Sequence, residues 1–439
     1  MLRNYSKIAS RALVLCTLTA LPMVACAHEL AKSESGKLNL DVEALTGYFH
    51  SQENYAQSPN QAEGSSSWQE GFIKYGLSGH LNLDAGQLYG AFNLLTSIVD
   101  GDGDAAGFTD GSERLTEVED AYVGWRSGSL FPALGHDGVD LSFGRQPITI
   151  GNGFLMAGDA LNFGHGMPSG LNRGGGYYIA ARRAFDRTAV LRLGGNDGWR
   201  SDLMWIKSDN HAQQDAEMAA GTIEHVDDLG TFGANYIEVM DTADKWDNAS
   251  DPRDGTKTTT LRYEGNAGVS DLYLAGEYAW QERDQGDENA WYVETGWTFS
   301  DMAWSPTVHY RFSRFSKQFD SLFYGNTRDY GTWFQGEVAG NYAGPFNTNT
   351  QAQMVSLEAL PAENFTLGMQ LFDFDTVNNG PGYSNTDGRE VDLYGIWGIN
   401  EHLAILPLVG LYKPGSSNDT QLGGQSSNLY SQIMVSITF

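Results

Sequence analysis

The 439-residue chain holds only two cysteines, Cys16 and Cys26, both in its first 26 residues. A fold stapled by disulfides is therefore excluded, since such folds spread several bridges along the chain. Apart from the N-terminus, no apolar run approaches the ~18 residues that a membrane-spanning helix requires, so a helical membrane protein is excluded as well. Basic residues are scarce: 27 Lys and Arg stand against 55 Asp and Glu, a formal charge of −28. A polyanion cannot release phosphate counterions from another polyanion, which rules out duplex nucleic acid as a partner.

Enzyme fingerprints are missing too. There is no G-x-S-x-G, no P-loop, no H-E-x-x-H and no dinucleotide motif. The stretch Gly76-Leu77-Ser78-Gly79-His80 lacks the final glycine of a nucleophile elbow. His309 and Ser313 are four residues apart, which is ~13 Å along a strand. No catalytic residue is assigned, and an enzyme is not expected.

What the chain does contain is glycine (53 residues) and aromatics (11 Trp, 21 Tyr, 21 Phe), in a polar sequence of mean hydropathy −0.37. Arg3, Lys7 and Arg11 precede an apolar segment from Ala12 to Val24, and Ala25-Cys26-Ala27 reads as a cleavage site, so residues 1–27 form a signal peptide. A competing reading takes Met23-Val24-Ala25-Cys26 as a lipobox with Cys26 lipidated. Cleavage before His28 leaves no cysteine and 24 basic against 55 acidic residues, a charge of −31.

Residues 28–439 then form one domain with a single repeated pattern, alternating apolar and polar residues over segments of about ten. Ile73, Tyr75 and Leu77 alternate with Lys74, Gly76 and Ser78; Trp291, Val293 and Trp297 alternate with Tyr292, Glu294 and Gly296. Such alternation fits a transmembrane antiparallel β-barrel or a soluble sandwich, and three features favour the barrel. The last segment puts Ile433, Val435, Ile437 and the terminal Phe439 on one face, the form of signal read by outer-membrane assembly machinery. Trp125, Trp205, Trp280, Trp291, Trp297, Trp333 and Trp397 stand near segment ends, as interface girdles do. Connections alternate between tight turns, such as Asp84-Ala85-Gly86, and long polar loops at 50–67, 100–113, 151–176, 242–255, 316–347, 375–387 and 413–426.

Eighteen strands, from 37–49 to 428–439 and including 177–184, 187–194 and 199–208, put all seven loops outside the cell. A helix-like stretch within 209–228 then falls on the periplasmic side, and 16 strands remain an alternative. Residues 331–342 are assigned to the long loop, and an even wall with no distinct face reads as a monomer set in outer-membrane lipid and lipopolysaccharide.

An eighteen-strand lumen is too wide for wall side chains to fill. The loop from Gly151 to Gly176, with apolar Phe154, Leu155, Met156, Leu161, Phe163 and Met167, is the candidate constriction, and Asp159, His165 and Arg173 are its polar candidates. A lid over the rim is the alternative. Inward bases are Lys74, Arg126, Arg192, Arg262 and Arg311, with Arg182, Arg183 and Arg314 as additions. Inward acids are Asp41, Glu43, Asp120, Glu264, Glu277, Glu294, Glu358, Glu390 and Asp392, so the wall is mixed. Arg145 shares parity with Leu141 and Phe143 and would face lipid unless a bulge or the rim intervenes. Asp100-Gly101-Asp102-Gly103-Asp104 opens like a calcium loop, but Ala105 and Gly111 stand where the turn glycine and the bidentate Glu should be. No cofactor is expected beyond a loop-bound divalent cation.

Two stretches resemble the alginate-export-like family of outer-membrane barrels: Phe143 to Gly153 (FGRQPITIGNG) and Phe319 to Tyr342 (FDSLFYGNTRDYGTWFQGEVAGNY). The resemblance implies an eighteen-stranded monomeric porin whose lumen passes a saccharide or anionic polysaccharide. A channel for a hydrophilic solute is the expected function, and a non-conducting barrel serving as surface adhesin or structural anchor is the rival.

Overall fold

The computed structural model describes residues 28–55, 64–243, 253–325, 335–344, 346–418 and 426–439. The signal segment and Trp333 lie outside these residues. Nineteen strands run in chain order: β1 His28–Ser33, β2 Gly36–Ser51, β3 Ser66–Leu83, β4 Gly86–Gly101, β5 Arg114–Arg126, β6 Val139–Gln146, β7 Phe185–Leu193, β8 Gly198–Lys207, β9 Glu217–Asp227 and β10 Gly230–Asp241. They continue with β11 Lys257–Gly265, β12 Leu272–Glu282, β13 Glu288–Thr298, β14 Thr307–Phe315, β15 Thr350–Ala362, β16 Phe365–Thr376, β17 Gly388–Asn400, β18 Leu403–Pro414 and β19 Asn428–Thr438.

Strands β2 to β19 each pair antiparallel with the next, and β19 pairs with β2, so the wall closes with eighteen strands and no free edge. Closure lets the wall N–H and C=O groups pair between neighbouring strands, as passage through hydrocarbon requires. The outer face carries the apolar set: Ile73, Leu77, Phe92, Val123, Leu203, Leu261, Val293, Leu371, Val409 and Ile433 are all exposed. The tight β3–β4 turn needs its glycine. Gly86 sits at φ +93, and a Cβ there would lie 2.1 Å from the Arg126 carbonyl oxygen.

The total of eighteen was right, yet it rested on two errors that cancelled. Residues 177–184 are no strand, and the stretch 209–228, read as a connection with a helix-like part at Gln213 to Ala220, contains β9. With that exchange every long loop falls at one end and the opposite end has short connections apart from residues 127–138, which hold a 3₁₀ turn at Pro132–Leu134. The second error has one packing cause. Val190, Met204, Ile206, Met218, Ala220, Ile237 and Val239 turn apolar side chains inward, where they cover loop residues Ile148, Phe154, Leu155 and Met156. A greasy inner face hides the alternation that marks a porin strand.

Strand β1 was not expected. It pairs with β2 from Leu40 to Gly36, the part of β2 that β19 leaves uncovered by ending opposite Glu43. Phe439 exchanges both backbone hydrogen bonds with Val42, at 3.0 and 2.8 Å, so β1 continues the line of β19 along the same partner strand.

Candidate functional site

Two long loops enter the barrel and meet inside it. Residues 147–184, between β6 and β7, cross to the opposite wall, where Asn152 Nδ2 donates to the Tyr292 hydroxyl at 2.7 Å and Phe154 packs on Tyr292 and Phe315. There the loop zips to the β14–β15 loop: Phe323 N donates to Leu155 O at 2.9 Å, Ala157 N to Phe323 O at 2.8 Å and Gly325 N to Gly153 O at 3.1 Å.

The return arm, residues 177–184, is held by carboxylates of the wall. Glu70 on β3 accepts from the N–H groups of Tyr178 and Ile179, at 3.1 and 3.3 Å. Glu119, carried inward by a bulge in β5, accepts from Arg183 and Ala184 at 2.6 and 2.8 Å. The second loop is fixed in the same manner, with Glu390 on β17 accepting from Val338 and Ala339 at 2.7 and 2.8 Å. Each carboxylate satisfies two buried donors of irregular backbone, an arrangement that fixes position as well as energy.

A cavity of about 650 Å³ threads between these loops and the wall of β2, β3 and β19. Its charged rim joins Glu43, Lys74 and Asp120 of the wall to Arg183 of the return arm. Lys74 Nζ lies 2.7 Å from Glu43 and 3.9 Å from Asp120, while Arg183 Nη2 donates to the Ala157 carbonyl at 3.1 Å. Below the first loop, a second cavity of about 600 Å³ is lined by Arg126, Arg192, Arg200 and Arg262 together with Asp140, Asp202, Glu224 and Glu264. Arg126 pairs with Asp140 at 3.2 Å, and Glu224 pairs with both Arg200, at 2.6 Å, and Arg262. Arg192 donates to the Ser142 hydroxyl at 3.4 Å and stands in register between Asp140 and Asp202, with no carboxylate within 4.0 Å among the described residues.

Of the expected lumen residues, Lys74 lines the first cavity and Arg126, Arg192 and Arg262 line the second. Arg311, Glu277 and Glu294 are buried in the wall and line neither cavity. Arg311 and Glu294 face each other across β13 and β14, Glu294 also holds His309 at 2.9 Å, and Glu277 stands opposite Arg262. Arg314 lies on the outer face with Tyr310, so it adds nothing to the lumen.

The polar residues expected to narrow the pore do something else. Asp159 is fully buried, accepts from Ser208 Oγ at 2.7 Å and Asn210 Nδ2 at 2.9 Å, and pairs with Arg173 at 2.8 Å. Arg173 also reaches Asp209 at 3.2 Å, and Arg145 reaches Asp209 at 2.8 Å, which ties the loop to the rim. Burial alone would raise the Asp209 carboxyl, but Arg173 and Arg145 outweigh it and hold it below the usual carboxylate range. The irregularity after Gly144, at φ +123, is the bulge that Arg145 required. His165 is at the outer surface, 3.4 Å from Asp110.

Of the acidic loop residues, Asp110, Glu113 and His165 bring ligand atoms within 4.8 Å of one another. Asp104 spends its oxygens on the N–H groups of Ala106, Phe108 and Thr109 and on the Thr109 hydroxyl. Glu113, beside Asp110 and His165, likewise accepts from four N–H groups, of Asp110, Gly111, Ser112 and His165.

Sequence reasoning missed Glu70 and Glu119 as loop anchors and Arg200 as a chamber residue. For Arg200 a signal existed: it shares parity with Asp202 on a strand whose other face carries Leu203.

Comparison with solved structures follows from this geometry. Pseudomonas aeruginosa OpdQ superposes with a TM-score of 0.56 at 11% identity, over 92% of this chain and 97% of that one. P. aeruginosa OccK7 (OpdD) gives 0.55 at 10% identity, over 92% and 99%, and Acinetobacter baumannii OccAB2 gives 0.55 at 10%, over 91% and 98%. The fold is that of the Occ/Opd outer-membrane porins. Those porins share the closed eighteen-strand wall with this chain at identities that speak for architecture alone. No family model and no curated protein sequence matches the chain, so the alginate-export-like resemblance is not confirmed.

Proposed function

We propose that the protein is a porin-type channel of a Gram-negative outer membrane that passes small hydrophilic solutes by diffusion. The observation that carries this reading is the cavity between the two inward loops and the wall, where Lys74 and Arg183 stand with Glu43 and Asp120 among aromatic and aliphatic residues. A structural anchor would have no use for Lys74, Glu43, Asp120 and Arg183 converging on an internal passage. An enzyme is disfavoured for the same reason: the polar groups line a path instead of surrounding a nucleophile and its base.

The solute class follows from charge. A polyanion requires a net basic path, whereas the chamber sets four arginines against Asp137, Asp140, Asp202, Glu224 and Glu264. Opposed arginines and carboxylates offer donors and acceptors on facing walls, the chemistry that orients the hydroxyls of a small saccharide. Membrane lipid and lipopolysaccharide would surround the wall, and Phe439 would serve as the assembly signal.

Swelling of liposomes containing the purified barrel tests this reading. Entry of small sugars at rates that fall with their size is expected; liposomes that stay as tight as protein-free controls would favour the adhesin or anchor.

A further inference from the structure

Glu390 and Asp392 point inward from β17, two residues apart on one face, beneath the turn at 335–343. They are 1% and 0% exposed. Among the described residues no Lys, Arg or His nitrogen comes within 4.0 Å of either. Glu390 has its two backbone donors, one per oxygen, which leaves each oxygen a lone pair. Asp392 has no side-chain donor: both carboxylate oxygens are fully buried and lie against the Glu390 carboxyl and the Glu337 backbone.

Its surroundings supply oxygen and space. Gln370 is the register partner of Asp392 on β16, is 2% exposed, and has its own Oε1 without a partner. Gly410 is the partner on β18, and a Cβ there would lie 2.6 Å from Asp392 Oδ1. Two adjacent carboxylates this deeply buried are costly unless something positive meets them. A donor set made wholly of carboxylate and amide oxygens is that of a hard cation, and calcium, which accepts variable coordination, is less demanding of geometry than magnesium.

We propose that Asp392, Glu390 and Gln370 form a calcium site between the wall and the pore turn. One divalent ion balances the two carboxylates, and the Glu390 clamp on Val338 and Ala339 then couples ion binding to the position of the turn. The site stands or falls independently of whether the channel conducts.

The test is titration of the chelator-treated, full-length barrel with terbium, read as luminescence sensitised by the protein's aromatic residues. A saturable site displaced by calcium is expected in the wild type. Asp392→Asn and Glu390→Gln should each weaken it about tenfold or more, since affinity follows ligand charge. Asp110→Asn, at the exposed cluster, should leave it unchanged. Gly410→Ala keeps both carboxylates and fills the space beside Oδ1, so it should weaken binding in a barrel with its acids intact. Equal titrations of wild type, Asp392→Asn and Gly410→Ala would overturn the proposal. So would the absence of any site displaced by calcium, which would mean that the two acids meet by sharing a proton.

Discussion

Glu119 Oε1 accepts the backbone N–H of Arg183 at 2.6 Å, one of the contacts that hold residues 177–184 against the wall. The same oxygen accepts from Ala184, and Glu119 is 4% exposed, so no water replaces it easily. Glu119→Ala leaves both donors unmatched, at a cost of about 1–3 kcal/mol each. The expected result is a barrel that still folds but has a larger and noisier single-channel conductance. A conductance identical to wild type would show that the arm is held by other means.

Arg192 is the chamber arginine with no carboxylate within 4.0 Å, so its charge is the one most open to a passing ion. Arg192→Glu should shift the reversal potential in a salt gradient toward cations. An unchanged reversal potential would remove the second cavity from the permeation path.

Arg311 makes the opposite case. It is 2% exposed and faces Glu294 within the wall. Arg311→Met should leave selectivity unchanged and lower stability by about 3–5 kcal/mol, because a buried carboxylate loses its facing cation. Urea titration in detergent measures the loss; a stability equal to wild type would contradict the assignment.

The rim cluster predicts a pH dependence. The Asp209 carboxyl is held below its ordinary value of 3.8 by Arg173 and Arg145 against the opposing effect of burial. Its contribution is therefore complete above about pH 3.8 and is lost as the pH falls below that value through the folded pKa. Stability should decline on acidification in that window, and Asp209→Asn should flatten the decline. Parallel curves for the two proteins would contradict the role of the cluster.

Much of the barrel could be read from the sequence because its outer face obeys one rule, apolar residues at every second position, as in Ile73, Tyr75 and Leu77. Legibility failed where the lumen is not water. Residues 177–184 alternate like a strand because Tyr177, Ile179 and Ala181 bury themselves in the packing between loop and wall. Strand β9 was obscured because Met218 and Ala220 face a folded loop. Charges were harder still. Asp159 and Arg173 look like pore residues by type, but their partners Ser208, Asn210 and Asp209 lie about 36–51 residues away in sequence. Only the folded chain can distinguish an anchor from a filter.

The central claim is that the passage between loop and wall conducts and that the loop limits it. Planar-bilayer recording of the wild type and of a variant lacking residues 151–176 tests it most directly. Ohmic steps in the wild type and larger steps in the deletion are predicted. Silence from both, in bilayers shown to contain folded barrel, would contradict the account.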